Sequence, residues 1–188
     1  MINNLDILLI DEETIKQKSI VMNNVEDQFF RPSIIDVQNI QFQEAVCEDL
    51  YEEIIDQFTD YKTAISSGTT QPIETFVEPR ILTLVDIYAQ PIIMNYTLYD
   101  ASYSFYSKVA NKGIVNQSSE NSETADSVMM DKLRKQWKTK GEHYITVMTK
   151  FLVDNIDDYP EYKTCLENCE IEETRASNYI SMYLGDQL

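Results

Sequence analysis

The chain has 188 residues, about the size of one domain or of a domain with arms. Hydrophobic residues make up 43%, enough for a core, while only 4 Gly and 5 Pro exclude collagen-like and coil-like chains and favour helices over a sandwich of short strands. The net charge of −17 argues against a nucleic-acid binder, because such a surface repels phosphate.

Residues 5–10, LDILLI, read as a short strand or a lead-in. Asp11-Glu12-Glu13 then supplies an N-cap and an acidic first turn for a short helix to about Ser19, with Leu8, Leu9 and Ile15 packing it down. Residues 20–24 are a connector ending in Asn24, a good N-cap. A helix is expected from Val25 to Ala45, with Val25, Phe29, Ile34, Val37, Ile40 and Phe42 on its apolar face. Pro32 should bend or restart it, since Pro removes a backbone donor. A second helix from about Cys47 to Tyr61 carries Leu50, Tyr51, Ile54, Ile55 and Phe58 inside and Glu48, Asp49, Glu52, Glu53 and Asp56 outside. Residues 63–72 are a Ser/Thr/Gly loop.

The longest apolar run is Ile81–Ala110. Its polar residues Thr83, Asp86, Gln90, Thr97, Asp100, Ser104 and Lys108 recur at steps of three, four or seven, one narrow stripe on a helix otherwise apolar all round. Such a helix belongs in the middle of a bundle; its charges and amides argue against a membrane span. Entered around Pro79, it should kink at Pro91, with a freed carbonyl near Ile87. Asn111-Lys112-Gly113 is a strong helix stop. Residues 111–126 form the most polar stretch, a loop longer than a compact domain usually keeps.

Asp126 or Ser127 caps a long helix to about Asn155, with Met130, Leu133, Trp137, Tyr144, Met148 and Phe151 as its core stripe. Gly141 falls on that stripe, where a neighbour can approach closely. Six of the 15 basic residues lie between Asp126 and Phe151, against three acids, so this segment is +3 and the remainder −20. It is either a solvated face or a basic face that docks on the acidic surface of a neighbouring copy. The tail, residues 157–188, ends in NYISMYLGDQL and reads as a short strand or aromatic plug that buries itself in the core or against a partner. The expected fold is all-α: a single bundle of about four to five helices around the Pro-kinked central helix. The bundle spans residues 1–156, with a polar interaction loop at 111–126 and a C-terminal arm at 157–188.

The start of the chain lacks the basic region and the apolar length of a secretory leader. Cys47, Cys165 and Cys169 are therefore expected as reduced thiols. His143 is the sole histidine and lacks the second His of HExxH; Cys165-x3-Cys169 has no neighbouring His, a poor metal site. GxxxxGK[ST], GxGxxG and GxSxG do not occur. The carboxylate pairs Glu52/Glu53, Asp157/Asp158 and Glu172/Glu173 are what 32 acids produce by chance. No enzyme, metal or cofactor is expected; an unrecognised carboxylate site would be the exception.

Several residues together resemble the helical head–tail connector proteins of tailed phages, also called adaptor or head-completion proteins, in the version found in crAss-like and related Bacteroidetes phages. They are Asn24-Val25, Arg31-Pro32, Ile34-Ile35 with Gln38, and Leu50-Tyr51. In the central helix they are Asp86-x-Tyr88-x-Gln90-Pro91 and Tyr96-Thr97-Leu98-Tyr99. Asn111 to Val115, Ser119 to Ser122, Leu133-Arg134, Glu142-x-Tyr144, Tyr159-Pro160-Glu161-Tyr162 and Tyr183-Leu184-Gly185 complete the collinear set. Two departures stand out: Val46-Cys47 replaces the family's Leu-Gly, and the acidic connector at 167–174 is this chain's own.

The resemblance implies a structural subunit of the virion neck, assembled in the host cytoplasm, with no catalysis and no membrane contact. Copies would form a homo-oligomeric ring, expected at roughly twelvefold to match the portal protein, and closed rings use heterologous contacts. The ring would extend the channel, let double-stranded DNA through without specific binding, and dock a tail or second neck ring protein. Asn111, Lys112, Gly113, Ile114, Val115, Ser119, Glu120, Asn121 and Ser122 would then reach a neighbour or the portal. Arg134 and Lys138 would contribute to that contact, and Tyr179, Tyr183 and Leu184 would pack across an interface. Pro91, Trp137 and Tyr88 would be structural. The charge leaves a second class open, an acidic DNA mimic that inhibits a DNA-binding enzyme.

Overall fold

The computed structural model describes residues 7–19, 29–110, 113–116 and 127–168, with side chains described outside 103–127 and 167–168. The architecture is all-α, with one small β-ribbon. Ile7, Leu9 and Ile10 are buried without forming a strand. Asp11 caps α1 (Glu12–Lys18), its carboxylate accepting from the Thr14 amide, and Glu12 and Glu13 complement the helix dipole. Residues 20–28, with the connector, the Asn24 cap and Val25, lie outside the described residues.

Among the described residues the next helix starts at Arg31, so Pro32 sits in the first turn, where its missing N–H costs nothing. α2 (Arg31–Val37) runs through a π-turn (Gln38–Phe42) into α3 (Gln43–Val46). Ile40, expected on the apolar face, is 57% exposed: it lies in this π-turn, whose extra residue rotates the face away from the core. α4 (Glu48–Ser66) buries Leu50, Tyr51, Ile54 and Ile55. It continues a turn past the expected end at Tyr61.

The central helix is α5 (Pro79–Leu84), a second π-turn (Val85–Ala89) and α6 (Gln90–Tyr106). This π-turn ends two residues before Pro91, with the Gln90 amide bonded to the Val85 carbonyl. It widens the ladder where the proline ring would otherwise press on a carbonyl. Ile81, Leu84, Val85, Ala89, Ile92, Ile93, Leu98 and Ala101 are all buried, as a helix surrounded by others requires. Thr97, a member of the polar stripe, is completely buried, whereas Thr83, Asp86 and Asp100 are exposed; the extra residue of the π-turn shifts the stripe around the helix.

The helix stops at Tyr106, not Ala110. Residues Ser107–Ala110 form β1, which pairs antiparallel with β2 (Gly113–Asn116), Ala110 opposite Gly113. The expected polar loop thus begins as a hairpin. α7 (Ser127–Asp154) comes next and packs along α6. Tyr96 of α6 lies so close to Gly141 of α7 that a Cβ there would sit 2.6 Å from its ring, the close approach expected at that glycine.

Residues 157–168 are not an arm. A 3-10 turn (Ile156–Asp158) leads into α8 (Pro160–Asn168), which packs on α4 with Tyr159 and Tyr162 buried. The remainder of the expected arm, 169–188, lies outside the described residues. The expectation of reduced thiols also needs correction at two positions: Cys47 and Cys165 form a disulfide across a Cα separation of 6.4 Å, within the range such a bond spans.

Candidate interaction surfaces

Three intramolecular joints fix which faces remain outward. At the first, the Gln38 side chain, 1% exposed, donates to the Ile7 carbonyl at 2.9 Å and accepts from the Leu9 amide at 3.0 Å. It thereby satisfies backbone groups of a segment that has no sheet partner among the described residues. Tyr51 completes the joint, its hydroxyl bonded to Gln38 and Asn39. Burial raises the pKa of that hydroxyl.

At the second joint, Arg80 makes a bidentate pair with Glu161 at 2.7 and 2.9 Å and also binds Glu78 and the Asp158 carbonyl. The Tyr159 hydroxyl donates to the Arg80 carbonyl at 3.0 Å, and its ring lies 5.7 Å from the guanidinium. Arg80 holds Glu161 below the usual carboxylate range, and burial pushes the Tyr159 hydroxyl up to about 12. Phe151 packs edge-on against Tyr159 and stacks on Tyr88 at 4.8 Å. Tyr88, expected to be structural, links the central π-turn to α7.

The third joint is the disulfide. Cys47 has φ +69 and ψ 159, a backbone region that is essentially glycine-only. The turn between α3 and α4 therefore keeps the shape that glycine favours, with a cysteine in its place.

The expected interaction residues separate into groups. Gly113, Ile114 and Val115 lie on β2. Asn111, Lys112, Ser119, Glu120, Asn121, Ser122, Tyr179, Tyr183 and Leu184 lie outside the described residues. Arg134 turns inward: it is 8% exposed, with its guanidinium 4.5 Å over the Tyr99 ring, so it is a joint between α6 and α7 rather than a partner-facing cation. Trp137 is buried beside it on α7, and Pro91 is half-buried. Lys138 is exposed, 3.8 Å from Glu142.

Lys138 also borders a cleft of about 380 Å³ with Asp36, Ile40, Gln41, Tyr96 and Tyr99, which the sequence did not mark. An open depression of about 500 Å³ runs along the outer side of α7 at Lys132, Lys135 and Lys140. No described helix is long and apolar enough to cross a membrane, and no cluster of described His, Cys, Asp or Glu is arranged to hold a metal.

We found no match to the chain among curated proteins or among solved structures. Residues 42–171, most of the chain, match the profile of the family of unknown function DUF6712, and the chain belongs to that family.

Proposed function

We propose that this protein is a structural ring subunit of a tailed-phage neck, attached to the portal, with no catalytic role. The observation that carries this reading is the hairpin β1–β2. It follows directly on the central helix, and among the described residues its sheet has only two strands. An isolated two-stranded ribbon is marginal in water, and each outer edge offers unpaired N–H and C=O groups to another chain. A third strand from a neighbouring copy or from the portal would satisfy one edge. The hairpin holds Gly113-Ile114-Val115, part of the connector resemblance, and the polar stretch after it is the expected arm.

The acidic surface supports the same reading, since a wall of carboxylates lets DNA pass without the phosphate contacts that would grip it. The test is to replace residues 107–124 by a Gly/Ser linker and measure both folding and co-assembly with portal rings. Unchanged helical circular dichroism with lost assembly is expected. Normal assembly would remove the hairpin from the proposal.

A further inference from the structure

The outer side of α7 is unlike the rest of the surface. Lys132, Lys135, Lys140 and Lys150 are all exposed along it, with His143 among them. Val128, Met129, Val147 and Val153 are 55%, 58%, 39% and 51% exposed on the same side. At 1.5 Å per residue this helix is about 42 Å long. It is a cationic stripe with apolar steps, on a chain whose remainder is −20. Lysine stems can lie along an apolar contact while their ammonium groups meet carboxylates.

The complement stands on the same molecule. α4 exposes Glu48, Asp49, Glu52, Asp56 and Asp60 along about 28 Å. The two faces do not cover each other within one chain, since the named residues of both are exposed. A two-fold dimer through one face alone would set lysines against lysines or carboxylates against carboxylates. A head-to-tail contact brings opposite charges together and leaves one of each face free, and that is the kind of contact that builds rings or filaments.

We infer that the outer face of α7 is the docking surface for α4 of a second copy of this chain. The inference rests on the ring reading above and supplies its subunit contact. Every copy carries one donor face and one acceptor face, so the contact repeats from subunit to subunit.

The test uses two charge-reversed full-length chains. One carries Lys132→Glu, Lys135→Glu and Lys140→Glu; the other carries Glu48→Lys, Glu52→Lys and Asp56→Lys. All six positions are exposed, and circular dichroism checks that both variants stay helical. In sedimentation at low salt, the wild-type chain is expected to self-associate and each variant to do so at least about tenfold more weakly. An equimolar mixture of the two variants should regain association, because each supplies the face the other needs. A parallel pair with glutamine at the same positions should lose association singly and not regain it when mixed.

The inference is overturned if the wild type stays monomeric at its highest soluble concentration. It is also overturned if either reversal leaves association unchanged, or if the mixture stays dissociated. In those cases co-assembly of the wild type with portal rings would leave the ring reading standing. A wild type that forms closed two-fold dimers and nothing larger would instead sink the ring reading itself.

Discussion

Arg80 and the lysines of α7 are both cations near the surface, in opposite surroundings. Arg80 meets two carboxylates, a carbonyl and an aromatic ring, all from residues that close α5 against α8. Lys132, Lys135 and Lys140 stand in the open on a helix whose inward side, with Arg134, Trp137 and Gly141, is already packed. Charge at the first place is used inside the fold; at the second it faces solvent. Mutations should therefore separate the two, with stability falling at the joint and assembly falling at the stripe.

The largest expected effect is at the joint. Tyr159→Ala empties a fully buried aromatic site and removes the bond to the Arg80 carbonyl, so it should cost about 3–5 kcal/mol in denaturant unfolding. Glu161→Gln keeps the shape but removes the charge opposite Arg80, at a cost of about 1–3 kcal/mol. Its pH dependence discriminates more sharply. Because Arg80 lowers the Glu161 pKa, the pair's contribution is present above the unfolded value of 4.5 and is lost as pH falls through the folded value. Melting temperatures of the wild type should approach those of Glu161→Gln on acidification; parallel curves would contradict the pair. Tyr159 has the opposite sign: its contribution holds below pH 10 and is lost as pH rises through about 12.

Smaller effects test the backbone and the buried face. In a Cys165→Ser chain, where no disulfide can form, Cys47→Gly should stabilise by about 1 kcal/mol or more by relieving the positive φ. Destabilisation in that background would show that the turn is not strained. The Thr97 hydroxyl is buried with no hydrogen-bond partner among the described residues, so Thr97→Val should be neutral or stabilising by up to about 1 kcal/mol. A loss measured by thermal unfolding would mean that the hydroxyl is satisfied. Least of all, Lys132→Glu and Lys135→Glu should change stability by no more than about 0.5 kcal/mol, while weakening self-association.

The parts of the fold legible in the sequence were those written in local period and caps. Asp11 capping α1, Pro79 opening the central helix, Ser127 starting α7 and Gly141 admitting Tyr96 all come from spacing or residue type. The parts that were not legible join residues far apart in the chain. Arg80 and Glu161 are 81 positions apart, and Cys47 and Cys165 are 118 apart. No pattern in either neighbourhood marks its partner. The π-turns misled in another way, since one extra residue in a ladder leaves the sequence looking regular but rotates every later residue of the helix, as at Thr97. On α7, charge composition marked the basic segment, but only packing could divide it into Arg134 inside and the lysines outside.

Whether copies of this chain form a ring on the portal can be seen by electron microscopy of portal rings mixed with the purified full-length protein. A second ring stacked on the portal axis is expected, with α7 of each subunit against α4 of the next and the hairpin β1–β2 at a neighbour or the portal. Portal rings that remain bare at saturating protein, with the protein folded and monomeric beside them, would contradict the ring.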